Sequence, residues 1–371
     1  MGCFALTSVW RRCNPCGKAR RAQAGYCAFI RPEEQLAYGS GSTQRIITVT
    51  FWGTRGSIPT AFDSAAQHET LISALTQAGP DDVGSRAAAE AYLARAGGLH
   101  LHQRYGGDTT CVEFQNSGGG RIIIDFGSGA RRFGGAAIGE DGPVSGRPFS
   151  FLMTHMHWDH VQGFPFFAPC FIPGNEIRIS GGHGSAALKD ALFGQMKPPY
   201  FPVPVEAMRA DISFPEVPAD EPFELEGFQV TPFLLRHGDG SYGYRLEFDG
   251  ASVVFASDAE HDLNDLVPEY AYVKWTKGAD LLIFDAQYSL ADLVLHKEDW
   301  GHSSGLVAVD LAHLADVKQV LLTHHNPSAS DEDIDGIAQQ TLEYEEMLRD
   351  GGASAIDVRA AFDGLKVEVG L

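Results

Sequence analysis

The chain has 371 residues, of which 44% are hydrophobic and 20% are charged. These values exclude a disordered or fibrous protein and allow one large globular domain with a buried core. Acidic residues outnumber basic ones 48 to 28, which gives a formal charge of −20. Such a charge repels phosphate backbones and anionic lipids, which argues against a nucleic acid polymer or a membrane as partner. No apolar run approaches the roughly 20 residues of a membrane span, so we expect a soluble, cytoplasmic protein.

The first 45 residues differ in composition from the rest. They hold seven basic and two acidic residues and four of the six cysteines. Cys13 and Cys16 have the spacing of a metal or redox pair, but no second CxxC follows, which argues against a zinc knuckle. We therefore expect an extension without stable structure at residues 1–45 and one domain at residues 46–371. An organellar transit peptide is the alternative for this Arg-rich start.

Beyond the extension, short β-rich runs bounded by glycines alternate with helical patterns. The predicted strands are 46–51, 111–114, 121–124, 149–153, 177–179, 230–235, 242–248, 252–256, 281–284 and 320–323. The predicted helices are 81–96, 185–193, 304–314 and 331–348. Many strands with interspersed helices indicate a layered α/β or α+β sandwich.

Five of these strands end in, or closely precede, a residue that can bind a metal or transfer a proton. These residues are His155, His237, Asp258, Asp285 and His324. Strand ends hold side chains rigidly and the adjoining loops admit substrate, so we expect all five at a common rim of the sheets.

The segment 154–160, THMHWDH, places three histidines and an aspartate directly after a predicted strand. A tight loop here can direct His155 and His157 at one cation and Asp159 and His160 at another. Neutral imidazole and carboxylate suit Zn²⁺ and leave a position for water. A histidine-rich surface loop is the alternative, but it does not explain why His and Asp recur at later strand ends.

The HxHxDH pattern of this segment resembles the signature of the metallo-β-lactamase superfamily. Three further segments are similar to the branch of that superfamily that contains ribonuclease Z and cyclic-nucleotide phosphodiesterase-like enzymes. They are FWGTRGSIPT (51–60), RYGGDTTC (104–111) and IIIDFGSG (122–129). The resemblance covers residues 46 to about 330 and implies a four-layer αββα sandwich.

The resemblance also implies a site for two Zn²⁺ ions, with Mn²⁺ or Fe²⁺ as alternatives. One ion would be bound by His155, His157 and His237. The other would be bound by Asp159, His160 and His324, with His325 as the alternative to His324. Asp258 would bridge the ions, and a bridging carboxylate with a bridging hydroxide offsets the repulsion of two cations about 3.5 to 4 Å apart while supplying a nucleophile near neutral pH.

The resemblance implies that two further residues, together with the ligand Asp159, take part in catalysis. His302 in GHSS resembles a histidine that donates a proton to the leaving group, and Asp285 in FDAQ takes the position of a glutamate of that branch. A carboxylate that holds a histidine charged and oriented suits a general acid for a departing alkoxide. A structural histidine at a helix N-terminus is the alternative for His302. Asp125 is implied to order the metal loop without binding metal.

The fold alone does not decide the substrate, because the superfamily includes lactamases, thioesterases, lactonases, nucleases and phosphodiesterases. His302 and Asp285 favour phosphodiesters. The segment 173–222 lacks the basic arm with which ribonuclease Z grips transfer RNA, which favours a small phosphodiester such as a cyclic nucleotide. The alternatives are a lactone or thioester, ribonuclease Z-like RNA processing, and a role in sensing metal or ligand without catalysis.

Aromatic residues near the predicted site suggest how a substrate is covered. The segment 164–171, FPFFAPCF, is interpreted together with 173–222 as a lid suited to stacking a base or an aromatic leaving group; loop packing is the alternative. Trp158 is expected to pack behind the metal loop. A homodimer is a further expectation, by analogy with the resembled branch.

Overall fold

Two mixed β-sheets of seven strands each form the centre of the protein, in a computed structural model that describes residues 45–95, 104–139, 146, 148–238 and 240–370. The strands are β1 (Ile47–Gly53), β2 (Cys111–Asn116), β3 (Arg121–Ile124), β4 (Pro148–Leu152), β5 (Glu176–Ser180), β6 (Asp211–Ser213), β7 (Phe223–Leu225), β8 (Phe228–Leu235), β9 (Ser241–Phe248), β10 (Ala251–Ala256), β11 (Leu281–Asp285), β12 (Gln319–Thr323), β13 (Asp357–Ala360) and β14 (Lys366–Val369). The α-helices are α1 (Ser64–Gln77), α2 (Arg86–Arg95), α3 (Gly129–Ile138), α4 (Trp158–Val161), α5 (Ser185–Gly194), α6 (Ala271–Thr276), α7 (Leu290–His296), α8 (Gly305–Leu314) and α9 (Asp331–Asp350). The predicted extension, with its cysteines, lies outside the described residues except for Arg45.

The two sheets follow similar strand plans. The first has the order β14-β1-β2-β3-β4-β5-β6 and the second β13-β12-β11-β10-β9-β8-β7. In the first sheet β14, β1, β2 and β3 pair antiparallel and β3 to β6 pair parallel. In the second sheet β7 to β10 pair antiparallel and β10 to β13 pair parallel. Parallel neighbours end at the same edge of a sheet, so β10, β11 and β12 bring their following residues together.

Three apolar clusters show how the layers pack. The first cluster lies between the sheets and joins residues such as Val49 and Phe114 to Val253 and Leu281. The second packs the other face of the second sheet against α8 and α9, and the third packs the other face of the first sheet against α3 and α5. The resulting order of layers, helices, sheet, sheet and helices, confirms the predicted αββα sandwich.

The central strands agree with the sequence prediction, whereas several short strands and five helices were not predicted. All ten predicted strands form, and β10 and β11 are buried along their whole length, as continuous apolar runs of parallel sheets are. The helix predicted at 81–96 begins at Arg86, after a 3₁₀ turn at Pro80–Asp82. The sequence prediction missed β6, β7, β13, β14, α1, α3, α4, α6 and α7. Strands of three or four residues carry too short a pattern to stand out.

In the described part of the chain, no helix combines the length with the apolar character that crossing a bilayer requires.

Candidate metal centre

A cavity of about 270 Å³ opens where the strand ends of the two sheets meet. It is lined by Ser57, His157, Trp158, Asp159, His237, Asp258, His302 and His324. His155 and His160 lie beneath it and are 3% and 0% exposed. The fold thus brings all seven predicted metal ligands and the predicted proton donor to one place.

The three histidines of the first predicted group surround a common point. Candidate ligand atoms of His155, His157 and His237 all lie within 4.8 Å of one another, and His157 Nδ1 is 3.0 Å from His237 Nε2. His237 Nδ1–H donates to the carbonyl of Gly301 at 2.6 Å, because a carbonyl oxygen can only accept. The Nε2 lone pair of His237 therefore faces His157 and is available to a cation.

The second predicted group is a buried set of two carboxylates and two imidazoles. Asp159 Oδ2 lies 3.3 Å from His160 Nε2 and 3.2 Å from His324 Nε2. Asp258 Oδ2 lies 3.4 Å from His160 Nε2, while its Oδ1 lies 3.1 Å from His324 Nε2 and 3.9 Å from His237 Nε2. Asp258 thus stands between the two groups with its oxygens directed at different histidines.

The structure distinguishes the two neighbouring histidines that follow β12. His324 faces the cavity, whereas His325 Nε2–H donates to the Ala361 carbonyl at 2.8 Å. Burial lowers the pKa of His325 to about 3, so this imidazole stays neutral inside the protein. His324 is therefore the one placed to act as ligand.

Three residues of the site that lie within two positions of a strand end adopt the left-handed backbone conformation. Asp125, Asp258 and His324 have φ of 64°, 60° and 58°, a region that non-glycine residues rarely occupy. The left-handed conformation turns the chain sharply, and each of the three side chains contacts another residue of the site. Such strain persists only where the surrounding structure holds it, and it is typical of functional sites.

Hydrogen bonds around Asp125 order the metal loop. Asp125 accepts from the backbone N–H of Thr154 at 2.8 Å and from its hydroxyl at 2.7 Å, and His160 Nδ1–H donates to it at 2.7 Å. This contact fixes the tautomer of His160 and leaves Nε2 directed at the cavity. Asp125 thus supports the candidate ligand His160 and is not a member of the candidate metal-binding groups found among the described residues.

The carboxylates and imidazoles of the site shift one another's pKa values. Burial alone would raise the pKa of Asp159 and of Asp258, but the neighbouring histidines outweigh burial and hold both pKa values below their usual range. Burial would lower the pKa of His324, yet Asp258 and Asp159 raise it to about 9. Burial and the charge of His160 lower the pKa of His155. The two carboxylates thus favour positive charge in the second group, and His155 is kept as a neutral donor.

The donors fit metal ions. His155 Nε2 is buried and has no hydrogen-bond partner, which is costly unless a cation satisfies it. Imidazole nitrogens with carboxylate oxygens are the ligand set of catalytic zinc sites. The seven residues therefore suit a metal site.

The predicted proton donor lies beside this cluster. His302 Nδ1–H donates to Asp285 Oδ2 at 2.8 Å, and both side chains are buried. The His302 ring stacks on His324 at 5.0 Å with an interplanar angle of 22°, and it lies 5.0 Å from the His237 ring. Asp285 Oδ1 in turn accepts from the Gln287 backbone N–H at 3.0 Å. The orientation leaves Nε2 of His302 as the ring nitrogen free to serve a substrate.

Three residues that support the site were not predicted from the sequence. Ser57 N–H donates to Asp159 Oδ2 at 2.7 Å, and the amide of Gln287 donates to Ser57 Oγ at 3.0 Å. Glu260 accepts from the backbone N–H groups of Asp299 and Gly301 at 2.9 and 2.8 Å. Ser57 lies in the FWGTRGSIPT segment, and Glu260 lies two residues after Asp258. Their contacts join segments that are far apart in the chain, so the sequence alone could not predict them.

Two predictions about aromatic residues were wrong. Trp158 does not pack behind the metal loop, because its side chain is 67% exposed and lines the cavity. The aromatic segment 164–171 does not cover the cavity either. Phe164 and Phe167 are fully buried against Phe126, so packing, the alternative, explains them. Phe166 is exposed but lies outside the cavity lining.

The family model of the beta-lactamase superfamily domain matches residues 147–325, a range that contains all seven candidate ligands. The chain therefore contains a metallo-β-lactamase superfamily domain. Ribonuclease Z of Agathobacter rectalis is 25% identical to it over 256 residues, which are 57% of this chain and 80% of that protein. The relationship to ribonuclease Z is thus a distant homology.

Solved structures share the fold at low sequence identity. The metallo-β-lactamase fold protein YhfI from Bacillus subtilis has a TM-score of 0.55 at 16% identity and covers 88% of this chain and 100% of its own. Zn²⁺-bound PqqB from Methylobacterium extorquens has a TM-score of 0.54 at 14% identity and covers 86% and 99%. Together with the buried His/Asp clusters, these findings support a metal-dependent hydrolase of the superfamily.

Proposed function

We propose that the protein is a dinuclear zinc phosphodiesterase that acts on a small phosphodiester such as a cyclic nucleotide. The observation that carries this proposal is the buried His302–Asp285 pair, with its 2.8 Å hydrogen bond, at the edge of the candidate metal cluster. Hydrolysis of an alkyl phosphodiester expels a poor leaving group, which needs a proton as the bond breaks. The distant homology to ribonuclease Z supports phosphodiester chemistry independently.

The metal ions would be held by the two ligand groups described above. His155, His157 and His237 would hold one, and Asp159, His160 and His324 the other, with Asp258 between them. Bound zinc supplies Lewis-acid polarisation of the phosphoryl oxygens and a water activated for attack near neutral pH.

The protein's own contribution to catalysis lies mainly in orientation. Asp285 accepts the Nδ1 proton of His302 and so presents Nε2 to the cavity, where a protonated ring can donate to the departing oxygen. The backbone N–H of Gln287 holds Asp285 from behind. Stacking on His324 prevents the ring of His302 from rotating away, which keeps the donor at the reacting centre.

The cavity and the charge favour a small substrate over RNA. A volume of about 270 Å³ accommodates a group of about nucleotide size. In the segment 173–222, Arg178 is engaged by Glu176 and Glu226, and the Lys189 ammonium lies 5.8 Å from the Phe193 ring centroid. The segment has only four basic residues, Arg178, Lys189, Lys197 and Arg209, too few and too scattered in sequence to follow a phosphate backbone.

The test is a substrate panel on one zinc-loaded preparation, with zinc content measured in parallel. The panel contains cyclic nucleotides, bis(4-nitrophenyl) phosphate, a pre-transfer RNA, a lactone and a thioester. We expect about two zinc ions per chain and turnover of the cyclic nucleotides and the aryl diester, and we expect Asp258→Ala to lose zinc and activity together. Preferred turnover of the lactone or thioester, or of the RNA, would replace this proposal with the corresponding alternative.

A further inference from the structure

We propose that Trp158 is a stacking platform at the mouth of the metal cavity and that the substrate carries a planar aromatic group, such as a nucleobase, which lies against its indole ring. This inference rests on the proposed phosphodiesterase function and narrows it to diesters with an aromatic substituent.

The position of Trp158 is fixed by its neighbours. It is the first residue of α4 and stands between the candidate ligands His157 and Asp159. The His157 carbonyl accepts from His160 N–H at 3.0 Å, and the Trp158 carbonyl accepts from Gln162 N–H at 2.9 Å. Zinc bound by the flanking residues would hold this backbone further. The indole therefore projects from a rigid base.

The ring of Trp158 is nevertheless exposed. Its side chain is 67% accessible, and it has no ring or cation contact with any side chain in the described ranges. Trp300 provides a contrast. It is 57% exposed, but the Lys297 ammonium lies 3.5 Å from the centre of its ring. A large apolar ring left open to water forgoes the stabilisation of burial, so its presence beside the ligands indicates a role in binding.

The surroundings of Trp158 point to a flat partner. The candidate metal ligands lie on the cavity wall beside it, so a phosphodiester held there places its ester substituents near the mouth. Quaternary ammonium groups are bound by cages of several rings. Among the described residues that line this cavity, Trp158 is the only Trp, Tyr or Phe. One open indole face suits one stacked base, since every base offers a π-face.

The experiment compares an aromatic with an aliphatic cyclic phosphodiester. Zinc-loaded wild type, Trp158→Ala and Trp158→Phe are assayed with cyclic adenosine monophosphate and with glycerol cyclic phosphate. We expect Trp158→Ala to raise the KM for the nucleotide about 5- to 100-fold, with a much smaller effect on the aliphatic diester and unchanged zinc content. Trp158→Phe, which keeps a smaller ring, should recover most of the affinity. Phe166→Ala is the matched control, because Phe166 is exposed but outside the cavity lining, and its KM should stay at the wild-type value.

Binding of adenosine 5′-monophosphate to the zinc-loaded protein gives a second readout that does not need turnover. If the wild type hydrolyses neither diester, the proposed function fails, and the platform is then judged by whether Trp158→Ala weakens binding of the nucleotide. If both diesters are hydrolysed and Trp158→Ala affects them equally or not at all, the platform is refuted while the proposed function stands. A change in oligomeric state without a change in KM would assign Trp158 to a protein interface instead.

Discussion

His302 has one hydrogen-bond partner that sets its orientation and three neighbouring rings that limit its motion. Asp285 accepts the proton on Nδ1, and the rings of His324, His237 and Tyr288 pack beside the imidazole. Asp285 is fully buried, so water does not compete for its hydrogen bond to His302. These contacts suit a donor that must be in place when the leaving oxygen acquires charge.

The leaving group of the substrate should therefore determine how far kcat falls in the His302→Ala variant. We expect its kcat to fall about 10²- to 10⁴-fold with an alkyl diester, whose leaving group needs the proton. Loss with bis(4-nitrophenyl) phosphate should stay below about tenfold, since nitrophenolate departs without protonation. Zinc content should not change. His296→Ala, which alters an exposed histidine on α7, is the control, and equal slowing of both substrates by His302→Ala would remove the proton-donor role.

At the scale of elements, the loop between α7 and α8 connects the proton donor to a metal ligand. Glu260 holds the backbone of this loop at Asp299 and Gly301, and the Gly301 carbonyl fixes the tautomer of His237. Gly301 has φ of +81°, and a Cβ there would lie 2.4 Å from His237 Nδ1. Only glycine allows the loop to approach the histidine this closely.

The Gly301→Ala variant should consequently damage the metal site as well as stability. We expect less than two zinc ions per chain and a large loss of activity, because His237 must move. Gly364→Ala is a matched control, since Gly364 has φ of +97° and open space around its missing Cβ. Backbone strain should lower the free energy of unfolding of both variants by about 1–2 kcal/mol, which urea unfolding measures. Retention of both zinc ions in Gly301→Ala would show that His237 does not depend on this contact.

At the scale of the whole molecule, buried neutral histidines make stability depend on pH. His261 stacks on Phe284 of β11 at 5.2 Å, its Nδ1 lies 2.9 Å from the Tyr270 hydroxyl, and burial lowers its pKa to about 4. The pKa of an unfolded histidine is about 6.5, so between these values the unfolded chain binds more protons. The stabilisation is complete above pH 6.5 and is lost as pH falls towards 4, by up to about 3 kcal/mol.

This prediction can be checked by urea unfolding of chelator-treated protein at pH 7 and pH 4.5. Between pH 7 and pH 4.5, the free energy of unfolding of His261→Phe should fall by about 2 kcal/mol less than that of the wild type. The reason is that phenylalanine keeps the stacking and cannot titrate. His68→Gln, at an exposed position of α1, should behave as wild type. An unchanged pH dependence in His261→Phe would place the acid sensitivity at other groups such as His325.

The sequence by itself determined the central architecture and the chemical types at the site. Continuous apolar runs specify β10 and β11, because a strand buried on both faces has no polar side, and glycine boundaries delimit the remaining central strands. His155, His157, Asp159 and His160 lie in one short segment, so their grouping needed no tertiary information. The short strands and helices of the periphery depend on packing partners that no local pattern records.

Only the tertiary structure decided which distant residues join the segment and how each is aimed. His324 and His325 are adjacent histidines that the sequence does not distinguish. In the structure, the backbone turns at His324, so that His324 faces the cavity and His325 donates to the Ala361 carbonyl. Trp158, which was expected to pack behind the metal loop, is exposed because it begins α4 at the lining of the cavity. Distance, burial and backbone direction are properties of the assembled sheets, since each depends on residues far apart in the chain.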